Sequence, residues 1–240
     1  MNQYSLDKFS KDLHQLDISL TEQQYKQFIQ YYELLVEWNE KMNLTAITEY
    51  DDVMKKHFTD SLSLVRAYDI RKSVSVIDVG TGAGFPGLVL KIAFPHLNIT
   101  LLDSLQKRIC FLDTVIEKLG ITEVQTIHGR AEEYAKPGKL RESFDLCVSR
   151  AVANLATLSE YCLPFVKKNG IFISYKSEKI SQELAHANKA ISVLGGRLTG
   201  QIEFNLPNSD IYRNLVIIQK EQNTPNKYPR KAGLPNKEPL

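Results

Sequence analysis

The chain is poor in the features that announce the simplest classes of protein. It has only three cysteines in 240 residues, Cys110, Cys147 and Cys162, an odd number and widely spaced. That argues against disulfides and zinc, and the apolar context of each predicts a reduced thiol in the core. The five histidines (His14, His57, His96, His128, His186) show no metal-ligand spacing. The longest apolar runs fall well short of the roughly 18 to 20 residues a membrane helix needs. The first ten residues carry Asp7 and Lys8 and lack an apolar core, so they do not read as a secretory signal, and the expected location is cytoplasmic. There are no internal repeats. A net charge of only +2 gives no whole-molecule sign of a nucleic-acid partner. What remains is an ordinary globular composition, 43% apolar and 24% charged, in a length that suits one domain or one with an appendage.

Hydrophobic period divides the chain into three. Residues 1–72 read as a helical region: Tyr25, Phe28, Ile29, Tyr32, Leu35 and Val36 recur at helical spacing behind a Thr21/Gln24 capping box. Met54, Phe58, Leu62 and Val65 form a second stripe. The connection Trp38-Asn-Glu-Lys-Met-Asn-Leu-Thr45 is either a packed interhelical link or a substrate-facing surface. Residues 73–221 alternate short β-branched runs, at 74–79, 99–103, 124–128, 144–149 and 171–175, with helical stretches. One stretch runs from Leu105 to Leu119 between a Ser104 cap and Gly120, another from Ile180 to Leu194 before Gly195. Such alternation predicts a parallel sheet with helices on both faces. Two further extended runs, 197–206 and 213–220, are joined by too few residues for a crossover helix and predict an antiparallel terminal hairpin. That makes seven strands, unlike a six-stranded dehydrogenase sheet. Residues 222–240 hold Pro225, Pro229, Pro235 and Pro239, which predicts an extended tail where the basic charge concentrates.

The chemistry gathers at the first strand's end. Gly82-Ala-Gly84-Phe-Pro-Gly87 satisfies the dinucleotide pattern GxGxxG, with Asp103 at the distance expected of a ribose contact. The register fits that pattern poorly, because the strand stops before Gly80 and leaves a Gly80-Thr81 step that a pyrophosphate turn does not require. The frame Asp78-Val-Gly80-Thr-Gly82-Ala-Gly84 needs only close backbone approach to an aminoacyl chain, with Asp103 holding a ribose from the next strand. It favours S-adenosylmethionine over NAD. Pro86 suits the first turn of a helix beginning near Phe85. Two further strand ends share the rim. One offers Ala131, small enough to lie against adenine, and Glu132 as an acceptor; the other offers Arg150, a ligand contact or a surface salt bridge.

Together these residues resemble the bacterial RsmG (GidB) family of 16S ribosomal RNA guanine-N7 methyltransferases. The likeness runs from Trp38–Thr45 and His57-Phe-Thr-Asp-Ser-Leu62, through the Asp78–Gly87 turn and Ser149-Arg-Ala-Val-Ala153, to Tyr228-Pro-Arg-Lys-Ala-Gly-Leu-Pro-Asn236. The resemblance implies an α/β fold: a Rossmann-like seven-stranded class I SAM-dependent methyltransferase sheet, parallel with an antiparallel terminal hairpin, preceded by a small N-terminal helical region. On the family's pattern the S-adenosylmethionine contacts fall at Gly80, Phe85, Ala131, Glu132 and Arg150; backbone approach adds Gly82 and Gly84, and the ribose argument adds Asp103. The implied partner is 16S ribosomal RNA or the small ribosomal subunit, with no membrane and no metal, and the expected state is a monomer.

Guanine N7 carries a lone pair and no proton, so no catalytic proton-transferring residue is expected and the task is alignment. In A-form RNA that atom lines a groove closed to side chains, which puts the target in a loop, bulge or opened end. Arg230, Lys231 and Lys237 are then candidate phosphate contacts and Tyr228 a stacking platform, unless the tail is merely solvated. On the first of these readings, removing the chain after Gln222 weakens RNA methylation and spares cofactor binding. Three rivals stand beside this reading: a small-molecule methyltransferase with a closed apolar pocket above Phe85, an NAD-dependent oxidoreductase, and a non-catalytic ribosome assembly factor.

Overall fold

The computed structural model describes residues 4–72, 74–178 and 180–240. The expected boundary at residue 73 falls on Ser73, outside the described residues. Strands form where the β-branched runs predict them: β1 (Ser75–Val79), β2 (Asn98–Asp103), β3 (Val124–His128), β4 (Phe144–Arg150) and β5 (Val166–Lys176). With β6 (Gly196–Asn205) and β7 (Tyr212–Lys220) they make one seven-stranded sheet in the order β3-β2-β1-β4-β5-β7-β6. The first five strands pair in parallel, and β7 lies antiparallel between β5 and β6.

Burial follows position in the sheet. Val76, Ile77, Asp78 and Val79 of the central β1 are all buried, as a parallel strand covered on both faces requires. Edge strand β6 instead alternates half-buried and exposed residues along its whole length. β5 begins five residues before the expected run at 171, because Lys167, Lys168 and Asn169 hide a strand that passes through a register shift against β4.

Helix α1 (Asp7–Gln15) leads into α2 (Glu22–Met42), whose capping box is present: Thr21 Oγ1 accepts from Gln24 N, and Gln24 Oε1 accepts from Thr21 N. The buried stripe of α2 is Phe28, Tyr31, Tyr32 and Leu35. Tyr31 lies outside the predicted stripe, and its hydroxyl donates to the Ala83 carbonyl in the glycine turn. Next, α3 (Tyr50–Val53) widens into a π-helical segment (Met54–Thr59), returns to α-helix at α4 (Asp60–Leu62) and tightens to a 3-10 turn (Ser63–Arg66). Met54, Phe58 and Leu62 are buried along it as expected.

Helix α5 (Gly87–Ala93) starts two residues later than predicted, with Pro86 before its first turn. α6 (Gln106–Leu119) ends at Gly120 in the left-handed region (φ 63°) as expected. Ser104 does not cap it. Leu105 occupies that place, and Asp103 Oδ1 accepts from Leu105 N at 2.9 Å instead. α7 (Ala131–Tyr134), α8 (Leu155–Cys162) and α9 (Ser181–Val193) follow. One face of the sheet buries α5, α6 and the N-terminal helices in a shared core, with α2 packed across α5 and α6. The other face buries α8 and α9. Among the cysteines, Cys147 and Cys162 lie in the core but Cys110 is exposed, because it sits on the outer side of α6.

The carboxyl-terminal segment departs most from expectation. It is packed, and it contains a short helix, α10 (Leu234–Lys237). Arg141 donates to the carbonyls of Thr224, Pro225 and Tyr228, and Thr157 Oγ1 donates to Pro235 O at 3.0 Å. Proline removes backbone donors, but these carbonyls remain, and side chains of the main body satisfy them.

Candidate functional site

Strand order reverses beside β1, whose neighbours β2 and β4 continue in opposite directions along the chain. A crevice opens there at the carboxyl ends of the strands, the place where α/β sheets bind ligands. Two adjoining cavities fill it, about 740 Å³ and 420 Å³, sharing Gly80, Asp103, Ser104 and Val152 in their walls.

The glycine turn forms the floor. Gly80, Gly82 and Gly84 all have positive φ (72°, 62° and 95°), but they serve different ends. A β-carbon on Gly82 would meet nothing within 4 Å, so the backbone is bare towards the larger cavity that Gly82 borders. Gly84 borders neither cavity, contrary to the cofactor contact expected of it. A β-carbon there would fall 2.3 Å from Tyr31 Oη and 2.9 Å from Leu112 Cδ2, so its smallness serves packing beneath the turn. Asp78 closes the turn from inside. Buried completely, its Oδ2 accepts from Thr81 Oγ1 at 2.6 Å and Gly87 N at 2.8 Å. Burial pushes its carboxyl up to about 6 against the pull of those bonds, and its Oδ1 has no partner among the described residues.

Asp103 ends β2 facing the turn. Its Oδ2 accepts from Gly82 N at 2.9 Å and from Arg108 Nη1 at 3.1 Å, so one carboxylate fixes the bend and borders both cavities. Ala131 and Glu132, at the start of α7, line the smaller cavity. Glu132 is buried rather than standing free at the rim, and its Oε1 accepts from Gly233 N at 2.7 Å.

Phe85 and Arg150 face the larger cavity together, the guanidinium lying 5.3 Å from the ring centroid. Arg150 is not a surface salt bridge. Its Nη1 donates to Asp60 Oδ2 at 3.0 Å while Arg213 Nε donates to Asp60 Oδ1 at 3.0 Å, with all three side chains largely buried. His57 stacks on Phe85 at 4.5 Å between centroids, and its Nε2 stands 2.9 Å from Thr45 Oγ1. Desolvation first, then the Arg150 charge, lower the His57 pKa to about 3, so the ring is neutral at physiological pH. Leu44 and Thr45 also line this cavity, so the 38–45 connection does present a surface to the site. Lys56, Arg108, Arg150, Lys176 and Arg213 give its wall a basic balance.

His57 and Asp60 lay within a motif that carried the family likeness, but no local pattern marked Lys176 or Arg213. Both reach the site only because β5 and β7 pair antiparallel, which sets Lys176 opposite Asn214, the residue after Arg213. The residues proposed for RNA divide. Tyr228 is buried, so its ring is not available for stacking. Arg230 is committed to the fully buried Glu160, with Nη2 2.7 Å from Oε2 and Nε 3.0 Å from Oε1, because that carboxylate requires a partner. Lys231 and Lys237 are exposed, and Lys237 borders the smaller cavity.

Comparison with known proteins adds to this geometry. A family model described as GidB, rRNA small subunit methyltransferase G, matches residues 24–210. A protein of Lachnoclostridium phytofermentans named "Ribosomal RNA small subunit methyltransferase G" is 52% identical over 97% of this chain and 96% of its own length. One of the same name from Bacillus velezensis is 49% identical over 98% of this chain and 99% of its own. Among solved structures, a SAM dependent methyltransferase from Aquifex aeolicus aligns with TM-score 0.52 at 16% identity, covering 72% of this chain and 94% of that one. A putative methyltransferase from Bacillus halodurans aligns at 0.52 and 14%, over 68% and 100%. At such identities the structural likeness speaks for the fold, which these enzymes share.

Proposed function

The chain belongs to the GidB family, rRNA small subunit methyltransferase G, and from that premise we propose that it transfers a methyl group to N7 of a guanosine in 16S ribosomal RNA. It is an S-adenosylmethionine-dependent methyltransferase. The observation that carries the reading is the bend at Gly80 and Gly82, held open by Asp103 at the point where strand order reverses.

The residues present fit this cofactor. Bare backbone at Gly82 would accommodate the aminoacyl chain, Asp103 would accept from the ribose hydroxyls, and Leu102, Ala131 and Val152 would give adenine apolar walls in the smaller cavity. The bound cofactor supplies an electrophilic methyl group on a sulfonium.

The protein's own part is to bind, orient and exclude water. Guanine N7 needs no base; His57, its pKa lowered to about 3, is too weak a base to hold a proton, and the Asp60 carboxylate is held by two arginines. Near-attack alignment of N7 with the methyl carbon, at about 3 to 3.5 Å, is the step the site has to achieve. A splayed-out base enters above Phe85, where the basic wall suits a polyanion. Lys231 and Lys237 remain the phosphate candidates of the carboxyl-terminal segment, and the protein acts in the cytoplasm, where its RNA substrate is.

A small-molecule methyltransferase called for a closed apolar pocket above Phe85. His57, Arg150 and Lys56 occupy that wall instead. Calorimetric titration of the protein with S-adenosylmethionine and, separately, NAD tests the reading: binding of the first alone is expected, and binding of NAD alone would overturn it.

A further inference from the structure

The carboxyl-terminal segment is joined to the cofactor crevice through a carboxylate. Gly233, Asn236 and Lys237 form part of the wall of the smaller cavity, together with Asp103, Ala131 and Glu132. Glu132 belongs to both sides. Its Oε1 accepts the Gly233 amide at 2.7 Å, and its Oε2 makes no hydrogen bond among the described residues. Gly233 sits in the left-handed region (φ 83°), which aims this amide inward, and a side chain there would be strained.

The segment is held in that place by contacts that leave the wall residues free. Arg230 grips the fully buried Glu160, Arg141 holds the carbonyls of residues 224, 225 and 228, and Thr157 holds Pro235. The Asn236 and Lys237 side chains make no hydrogen bond or ion pair among the described residues, and both residues are exposed where they border the cavity. They border the same cavity as Glu132, whose second carboxylate oxygen has no partner among the described residues.

The geometry points to residues 233–237 as one wall of the adenosine subsite, closing over the cofactor from the side opposite β2. This rests on the reading of the crevice as an S-adenosylmethionine site. The match is chemical. Adenine presents an exocyclic amine, which the free Glu132 oxygen accepts, and ring nitrogens, which Asn236 and Lys237 reach as donors. The carboxyl-terminal segment is then cofactor machinery, and the expectation that removing it spares cofactor binding is reversed.

The test is calorimetry with S-adenosylmethionine and S-adenosylhomocysteine, without RNA, on the full chain and on an Asn236→Ala/Lys237→Ala double variant. The double variant should bind both about 5- to 20-fold more weakly, equivalent to roughly 1 to 2 kcal/mol. Its unliganded melting temperature should be unchanged, because neither side chain has an internal partner. In the full chain, hydrogen exchange across 230–240 should slow when cofactor is added, a readout that needs no variant. Unchanged affinity in the double variant together with unchanged exchange in the full chain would overturn the inference while leaving the crevice's cofactor intact. A full chain that binds neither compound would overturn the underlying reading as well.

Discussion

His57 shows how a single residue can be read wrongly if its type alone is considered. A histidine beside a substrate cavity suggests a proton shuttle, yet burial and the Arg150 charge hold it neutral, with a pKa of about 3. A lowered folded-state pKa means that the unfolded chain takes up a proton below about 6.5 that the folded chain refuses, so stability from this residue is lost as pH falls through that window. Asp78 acts the other way: its folded pKa of about 6 makes the folded state the better proton binder between about 6 and 3.8. The clean observable is therefore a difference between proteins. The urea stability of the protein minus that of a His57→Phe variant should fall by about 2 kcal/mol between pH 7.5 and pH 5. A difference that stays constant over that range would show that His57 titrates normally and is available as a base.

At the scale of elements, the glycine turn separates two reasons for the same residue. Gly82→Ala puts a methyl group into open space and costs only the strain of a positive φ, about 1 to 2 kcal/mol. It also projects that methyl where the cofactor chain is expected, so the variant should fold and lose most cofactor affinity. Gly84→Ala drives a β-carbon against Tyr31 and Leu112 at the junction of α2 and the turn. It should destabilise the fold by about 2 to 4 kcal/mol, within the range of overpacked and strained core positions. Thermal melts paired with cofactor titrations check both, and the reverse pattern would contradict the division of roles. The turn itself, the strands and their antiparallel ending were legible because each is a local signal: β-branched runs, glycine at alternate positions, a connection too short for a helix. The different duties of Gly82 and Gly84 were not, since they depend on Tyr31, which lies 53 residues before Gly84. The pairing of Glu132 with Gly233 and of Glu160 with Arg230 was hidden for the same reason. Four prolines predict an extended segment, yet Leu234–Lys237 is a short helix with Pro235 in its first turn, where proline is tolerated, and the prolines carry no message about whether the segment packs.

For the whole molecule, the sheet, the N-terminal helices and the carboxyl-terminal segment converge on one crevice. Tyr31 of α2 holds the turn from below, Thr45 and His57 wall the larger cavity, and Gly233 bonds to Glu132 in the wall of the smaller one. No single element owns the site, which fits a likeness to the family that spans nearly the whole chain. The central claim is that this crevice delivers a methyl group to N7 of a guanosine. It is tested most directly by incubating the protein with radiolabelled S-adenosylmethionine and small-subunit RNA, both deproteinised and as particles, then digesting the RNA and identifying the labelled nucleoside. Label is expected in N7-methylguanosine at one position of the small-subunit RNA; label in another nucleoside, or none in either preparation while the cofactor still binds, would contradict N7 transfer.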